Sequence, residues 1–535
     1  MASLAHIEMK PNFNLAAAVH RHALSTPDAL AVACQGRSLT YGELAEQAAR
    51  IGNCLASHMT GPTHDGQPPR VGIMASRSVD ACVAMLGACW SGATYVPLGL
   101  KLPEERLLNL LEQCSFSAIV TDDAGALLLS ERVLSRCPAL VIHTGTKPIE
   151  ARADHVEIID MASLDRVTPS APEPMAESDT AYIIFTSGTT GVPKGVMISV
   201  AAARHFVSTM VETFSLTSSD RALETCELSF DISVHNMFST WEVGASLHIL
   251  PAAKVMGAVK FARESRLTLW TSVPSLAGML RQIKALAPAS LPDLRLTIFG
   301  GEPVPESIVK AWQIAAPNGA IATLYGPTET TVFCTSQPVT TPVPLSPGRD
   351  VIAIGVPFAN HEIMVIDEHD QPLPDGSPGE LAISGVQLAQ GYLGSPELTA
   401  ARFPTINGQR WYRSGDLGMR DASGRFHCLG RIDNQVKVMG HRVELEEIDA
   451  HLREVSGHAL ASAVAWPIND GLAAGIVSFV GAARVDEAGV VAALRLRLPA
   501  YMLPSRVIAL ADMPINANGK VDRRALRGWL EAQAA

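Results

Sequence analysis

Between residues 70 and 100 the segment RVGIMASRSVDACVAMLGACWSGATYVPLGL runs from a short apolar stretch through a helical spacing of apolar positions into a second apolar stretch. The same pairing recurs at FSAIVTDDA and LVIHTG further along the chain. Strands alternating with helices in this way predict mixed α/β layers with parallel sheets. A Pro-rich stretch, TPSAPEPMAESD at 168–179, reads as a surface linker. From GELAISGVQLAQGYL (379–393) onward the pattern changes to short β segments separated by glycine turns. GRIDNQVKVMGHRVELEEIDAHL (430–452) then passes from polar, strand-like residues into an amphipathic helix, with Val443, Leu445, Ile448 and Leu452 apolar among acids. A small α+β unit of about a hundred residues is predicted to begin there.

Composition narrows the function classes. A chain of 535 residues, 47% of them hydrophobic, exceeds what one core usually serves, so two or more domains are expected. The 42 Lys+Arg against 53 Asp+Glu give a net charge of −11 without a basic run, which argues against a nucleic acid partner. Nine scattered cysteines with no CxxC pair read as reduced thiols of a cytoplasmic protein. MASLAHIEMKPNF lacks a charged start followed by an apolar stretch, and no apolar run reaches the ~18 residues that span a bilayer, so neither export nor a membrane partner is expected.

IIFTSGTTGVPKGVMIS (183–199) places three glycines, five hydroxyls and one lysine directly after three apolar residues. Ile183, Ile184 and Phe185 read as the end of a buried strand, and the Thr/Ser/Gly run after them can continue neither helix nor sheet. Consecutive backbone N–H groups in such a run can form a concave anion nest, to which the hydroxyls add donors and Lys194 adds charge. The spacing is not that of a P-loop, because Lys194 follows Pro193 and precedes Gly195. Taken alone, the segment leaves a flexible surface loop open as the alternative.

The loop resembles that of the adenylate-forming enzymes, the family of acyl-CoA synthetases, luciferases and the adenylation domains of nonribosomal peptide synthetases. Further blocks resemble amino-acid adenylation motifs in their order: LTYGEL (39–44), GATYVPL (92–98), FDISVHNMF (230–238), LYGPTETT (324–331), GELAISG (379–385), YRSGDLG (412–418), GRIDNQVKVMGHRVELEEID (430–449) and NGKVDRR (518–524). The likeness therefore covers nearly the whole chain. It implies an α/β fold with a large N-terminal adenylation domain over 1–432, made of layered α/β subdomains with a small β-barrel-like part and holding the ATP and amino-acid sites. A small mobile α+β C-terminal domain over 433–535 would carry the catalytic lysine. The implied protein is a cytoplasmic ligase of natural-product biosynthesis that uses ATP and Mg²⁺.

The chemistry so implied is attack of a carboxylate on the α-phosphorus of ATP with expulsion of pyrophosphate, catalysed mostly by positioning and electrostatic stabilisation. Carried over residue by residue, the resemblance implies that Thr186, Ser187, Gly188, Thr189, Thr190 and Lys194 hold the β- and γ-phosphates. Thr328 would touch the α-phosphate, Tyr325 would lie beside the adenine, and Glu329 would hold Mg²⁺, a hard cation that prefers oxygen ligands. The Asn that relatives carry two residues before that Tyr is Thr323 here. Asp416 would accept from the ribose hydroxyls with Arg431 as a second ribose contact, an ion pair between domains being the alternative. Lys520 would contact both the substrate carboxylate and the α-phosphate, although a lone turn lysine is otherwise solvent-exposed and idle. Ser414 stands for the usual Thr, and Gly99 where relatives carry Asp.

Asp231 matches the residue that binds the substrate ammonium in amino-acid adenylation domains; a helix N-cap near Ser233 is the alternative. The rest of the implied pocket is Ile232, His235, Thr271, Ile298, Gly300, Leu324, Val332 and Phe333. This wall is mostly apolar and has no Lys, Arg or Glu to pair a charged side chain, so an amino acid with a small or medium neutral side chain is expected. His235 reads as a satisfied core histidine, a hydrogen-bond donor to a polar substrate, or a residue that narrows the pocket.

For the second half-reaction the resemblance implies transfer to the thiol of a phosphopantetheine arm. Asp433 matches the hinge about which the small domain rotates, and Gly440 matches a glycine whose missing side chain leaves a channel for that arm; a mere structural turn is the alternative. The chain ends eleven residues beyond VDRR, so a phosphopantetheinylated carrier protein is expected in trans. Residues 484–527 hold eight Arg+Lys against four Asp+Glu, an excess that suits an acidic carrier or is ordinary solvated charge. Two other readings stand beside the amino-acid ligase. Asp231 argues against an acyl- or aryl-CoA synthetase, and the joint presence of Lys194, Glu329, Asp416, Arg431 and Lys520 argues against a non-catalytic nucleotide-binding homologue.

Overall fold

The computed structural model of the chain describes residues 14–59, 61–166, 168–188, 193–469, 472–516 and 521–534. The apolar stretch after residue 69 forms the strand Arg70–Met74, buried at every position, with Thr94–Pro97 and Ala118–Thr121 parallel on either side. Leu140–His143 and Glu157–Asp160 extend the parallel order one way and Thr180–Thr186 the other. Lys194–Ser199 then turns back antiparallel on Thr180–Thr186, and Gly391–Tyr392 completes eight strands. A second sheet of nine strands has a parallel centre, with Ser246–Ile249, Arg221–Glu224, Leu269–Ser272, Leu296–Gly300 and Ala320–Tyr325 side by side. Mixed α/β layering is therefore as the apolar pattern predicts.

One continuous core joins both sheets to the helices Tyr41–His58, Val79–Trp90 and Val200–Phe214. Val79–Trp90 is buried at every position but Asp80, as a helix in a central layer must be. It meets Tyr41–His58 at Gly52 and Gly87, where an added Cβ would come within 2.8 Å of Trp90 Cβ and 2.6 Å of Ile51 Cγ2. Thr40 and Glu43 start the latter helix with a reciprocal capping box.

The region of short β segments and glycine turns forms a four-stranded antiparallel sheet of His361–Ile366, Gly379–Gly385, Tyr412–Arg420 and Phe426–Arg431. From Gln435 on, the strands build sheets of their own. Gln435–Val438 and His441–Glu444 pair through the two-residue turn Met439 and Gly440, both at positive φ (+47° and +85°), the handedness that fits a tight hairpin. The helix Leu445–Ser456 buries Leu445, Ile448 and Leu452, while Val443 belongs to the strand before it. A three-stranded sheet of Ala461–Ala465, Ile476–Val480 and Arg506–Ala509 and the helix Arg523–Ala534 complete this part.

Candidate functional site

Thr180–Thr186 and Ala320–Tyr325 end at the rim of one cavity of about 810 Å³, and the 435–444 hairpin covers it. Clefts beyond the carboxyl ends of parallel strands are where α/β sheets bind ligands, since the loops there are free to carry polar groups. Thr186, Ser187, Asp231, Ile232, Leu324, Tyr325, Thr328, Val332, Phe333, Asp416, Arg431, Asp433 and Gly440 all line this cavity, so the structure brings together residues from five of the sequence blocks. Gly188 donates its N–H to Glu447 beside it. Thr189, Thr190 and Lys520 lie outside the described residues.

At one end Tyr325 Oη donates to Asp416 Oδ2 at 2.6 Å, and Arg431 Nη1 stands 2.8 Å from Asp416 Oδ1. The two sit opposite each other in the pairing of Tyr412–Arg420 with Phe426–Arg431, which fixes their separation. Arg431 also grips Asp433 with both Nε and Nη2, at 2.9 and 2.6 Å. The Asp416–Arg431 ion pair weighed from the sequence exists, but it lies within the four-stranded sheet and in the cavity wall. Ser414 replaces the usual Thr without loss: its hydroxyl donates to Leu381 O and accepts from Asp416 N–H. Thr323 donates to Ala353 O at 3.2 Å and lines the cavity beside Tyr325.

Glu329 lies fully buried just below the cavity. Its Oε2 accepts from Arg442 Nη1 at 2.8 Å and its Oε1 from Tyr392 Oη at 2.9 Å. Burial alone would push this carboxyl up, but the Arg442 guanidinium, through charge and hydrogen bond, and the Lys194 ammonium hold it down at about 2. It is a permanent anion with two hard oxygens, the donor chemistry a divalent cation carried by a nucleotide requires. Lys194 lies 3.7 Å from Glu444 and faces the Tyr392 ring, and burial followed by the Arg442 charge pulls its pKa down.

Asp231 stands at the other end. It precedes a short helical turn, yet its side chain makes no capping hydrogen bond, so the N-cap alternative is not realised. Burial raises its pKa to about 6 against the Thr328 hydroxyl bonded to it and the Lys437 ammonium nearby. Of the implied pocket wall, Ile232, Leu324, Val332 and Phe333 reach the cavity, whereas His235, Thr271 and Ile298 do not. His235 is buried and held neutral by that burial, its pKa down at about 3, with Nδ1 at 3.2 Å from Ser239 Oγ and Nε2 at 3.3 Å from Thr271 Oγ1. It is a satisfied core histidine.

Sequence reasoning missed Lys437, Arg442, Tyr392 and Glu302. Lys437 and Arg442 are directly paired across the hairpin, and two like charges in that position repel unless anions face them. That pairing, readable from the KVMGHR turn, was the available signal. Glu302 accepts from Gly440 N–H at 2.5 Å and from Ser275 N–H at 2.9 Å, which anchors the hairpin tip.

Residues 19–393 match the sequence profile of a family described as AMP-binding enzyme. The chain is 30% identical over 521 residues to the D-alanine–D-alanyl carrier protein ligase of Bacillus velezensis, covering 95% of this chain and 97% of that ligase. It is 32% identical over 537 residues to the delta-poly-L-ornithine synthetase of Acinetobacter baumannii, where 98% of this chain spans 37% of the relative. Several other curated relatives are far longer still, and the chain spans 9% or less of them. Among solved structures, the Vibrio cholerae adenylation domain AlmE in complex with glycyl-adenosine-5'-phosphate superposes with a TM-score of 0.85 at 27% identity, covering 99% of this chain and all of that one.

Proposed function

The chain belongs to the AMP-binding enzyme family, and from that premise we propose that it activates an amino acid as aminoacyl-AMP and passes the acyl group to the phosphopantetheine thiol of a separate carrier protein. The observation that carries this reading is the placement of the Asp231 carboxylate in the same cavity as Thr186, Tyr325, Thr328 and Asp416. Such a carboxylate suits the ammonium of an amino acid with a small or medium neutral side chain, since the wall around it is apolar. The D-alanyl ligase and the glycyl-adenylate complex are relatives that handle amino acids.

In the first step a substrate carboxylate oxygen attacks the α-phosphorus of ATP, the new P–O bond forms, and the bond to pyrophosphate breaks. Asp231 holds the ammonium, Thr328 orients the α-phosphate, and residues 186–190 with Lys194 hold the leaving pyrophosphate. Tyr325 packs on the adenine, and Asp416 accepts from the ribose with Arg431 beside it. Glu329 would hold Mg²⁺, which neutralises phosphate charge when bound. Lys520 would neutralise charge between carboxylate and phosphate. In the second step a thiolate attacks the acyl carbon and the C–O bond to AMP breaks. We assign residues 1–432 to the adenylation domain and 433–535 to the mobile domain, with Asp433 as hinge. The docking of Gly440 on Glu302 and of Arg442 on Glu329 supports placing the described arrangement at the transfer step. Among the described residues no helix is long and apolar enough to cross a membrane; nine free cysteines suit action in the cytoplasm.

The test is amino-acid-dependent exchange of pyrophosphate into ATP. Exchange with an amino acid, lost in Asp231→Ala and Lys520→Ala, is the expected result. Exchange only with amine-free acids would move the protein to the acyl- or aryl-CoA synthetases.

A further inference from the structure

The implied amino-acid wall is cut in two. Ile232, Val332 and Phe333 line the open cavity beside Asp231, while His235, Thr271 and Ile298 line a separate void of about 10 Å³, at the lower limit of what one water needs. Phe333 is the partition. It is 1% exposed, its ring packs against His235 and Phe206 with centroids 6.2 and 6.4 Å apart, and a Cβ added to Gly300 would stand 2.4 Å from its Cε1. The ring therefore fills the space over Gly300 and ends the cavity there.

The partition is fixed in place. Thr331 and Val332, both β-branched, adopt φ of +59° and +67°, a region such residues rarely enter and keep only when their surroundings dictate it. Gln387, fully buried, does so: its Nε2 lies 3.2, 3.3 and 2.9 Å from the carbonyls of Thr330, Thr331 and Phe333, sharing its two hydrogens among them, and its main-chain carbonyl accepts from Thr331 Oγ1 at 2.6 Å. The backbone that aims Phe333 cannot swing without breaking this set. His235, whose ring nitrogens are both engaged, has nothing to offer a substrate.

We infer that the site accepts an amino acid whose side chain is no larger than a methyl group, with Phe333 as the specificity-determining residue that excludes anything longer. The inference rests on the amino-acid ligase reading and narrows it. Pyrophosphate exchange is measured with glycine, alanine, serine, valine and leucine for the wild type, Phe333→Ala and Phe333→Leu. The wild type is expected to favour glycine or alanine over valine and leucine by about 100-fold or more in kcat/KM, the upper range for discrimination by pocket size. Phe333→Ala opens the cavity to the His235 void and shifts the preference toward valine or leucine by at least about tenfold; Phe333→Leu, which keeps the core filled, shifts it toward serine if the alanine variant fails to fold. A wild type that prefers serine or a larger side chain, or a folded variant that keeps the wild-type preference, overturns the partition and leaves the ligase reading standing. Exchange with no amino acid at all overturns the ligase reading and this inference with it.

Discussion

Arg442 Nη1 stands 2.8 Å from Glu329 Oε2, so a guanidinium from the C-terminal hairpin neutralises the carboxylate proposed to hold Mg²⁺. If Glu329 holds Mg²⁺ as proposed, Arg442 and the metal would compete for one anion, and the hairpin would have to withdraw for the metal-bound nucleotide to enter. Arg442→Ala leaves Glu329 buried without its partner in the docked arrangement, at a cost of about 3–5 kcal/mol that undocking relieves. Transfer to a pantetheine thiol is expected to fall by tenfold or more, and pyrophosphate exchange to fall much less. Single-turnover thiol loading compared with exchange separates the two; equal losses would show that the pair serves the first step as well.

Asp231 gives a pH dependence with a definite sign. Its carboxyl sits at about 6 in the free site against an ordinary value of 3.8, burial being the main cause. On the proposed reading the substrate ammonium pairs with the Asp231 anion, so KM for the amino acid is expected to rise as pH falls through about 6. Stability runs the other way. Between roughly pH 4 and 6 the folded chain holds a proton that the unfolded chain has lost, so stability falls as pH rises through this window. Asp231→Asn removes the penalty: Tm should rise relative to wild type at pH 7–8 and match it near pH 4, while exchange collapses. A Tm difference independent of pH would mean that Asp231 does not titrate in this range.

Much of this site was legible because its anchors lie in short blocks whose local geometry is set by neighbours in sequence. Asp416 and Arg431 lie in successive blocks that pair as adjacent strands, and Gly440 suits a tight turn, so both could be placed from the pattern. The contacts that decide chemistry were less legible because they join distant segments. Arg442 reaches Glu329 113 positions earlier, and Glu302 meets Gly440 across 138. Phe333 could be placed in the pocket by its block, but the direction of its ring depends on positive φ at Thr331 and Val332 and on Gln387, 54 positions away. Spacing along the chain carries none of that.

Gly440 is confined twice. Its φ of +85° disfavours any side chain, and an added Cβ would press on Val273 Cγ1 at 3.1 Å. The φ of the turn costs Gly440→Ala about 1–2 kcal/mol whether or not the hairpin is docked, whereas the contact with Val273 penalises the docked arrangement alone, so thiol loading is expected to fall more than exchange. Gly440→Val should abolish loading. Normal loading by Gly440→Ala would mean that the tip can shift, and that the contact with Glu302 does not set the arrangement.

Arg106 and Glu447 provide a further clasp between the two parts of the chain. Arg106 Nη1 lies 2.5 Å from Glu447 Oε1, with 9% of the arginine side chain and none of the glutamate exposed. They come from the helices Glu104–Cys114 and Leu445–Ser456, and undocking returns both charges to water. Arg106→Ala strands a buried carboxylate, which costs about 3–5 kcal/mol for as long as the parts stay together. Replacing both residues removes the stranded charge as well as the bond, and so costs less than the single change. Limited proteolysis around residues 431–434 reads the outcome: cleavage of Arg106→Ala should exceed wild type by tenfold or more, and Arg106→Ala with Glu447→Ala should fall between the two. If the single variant is cut no faster than wild type, the docked arrangement is held by the hairpin contacts, such as those at Glu302 and Glu329, without this pair.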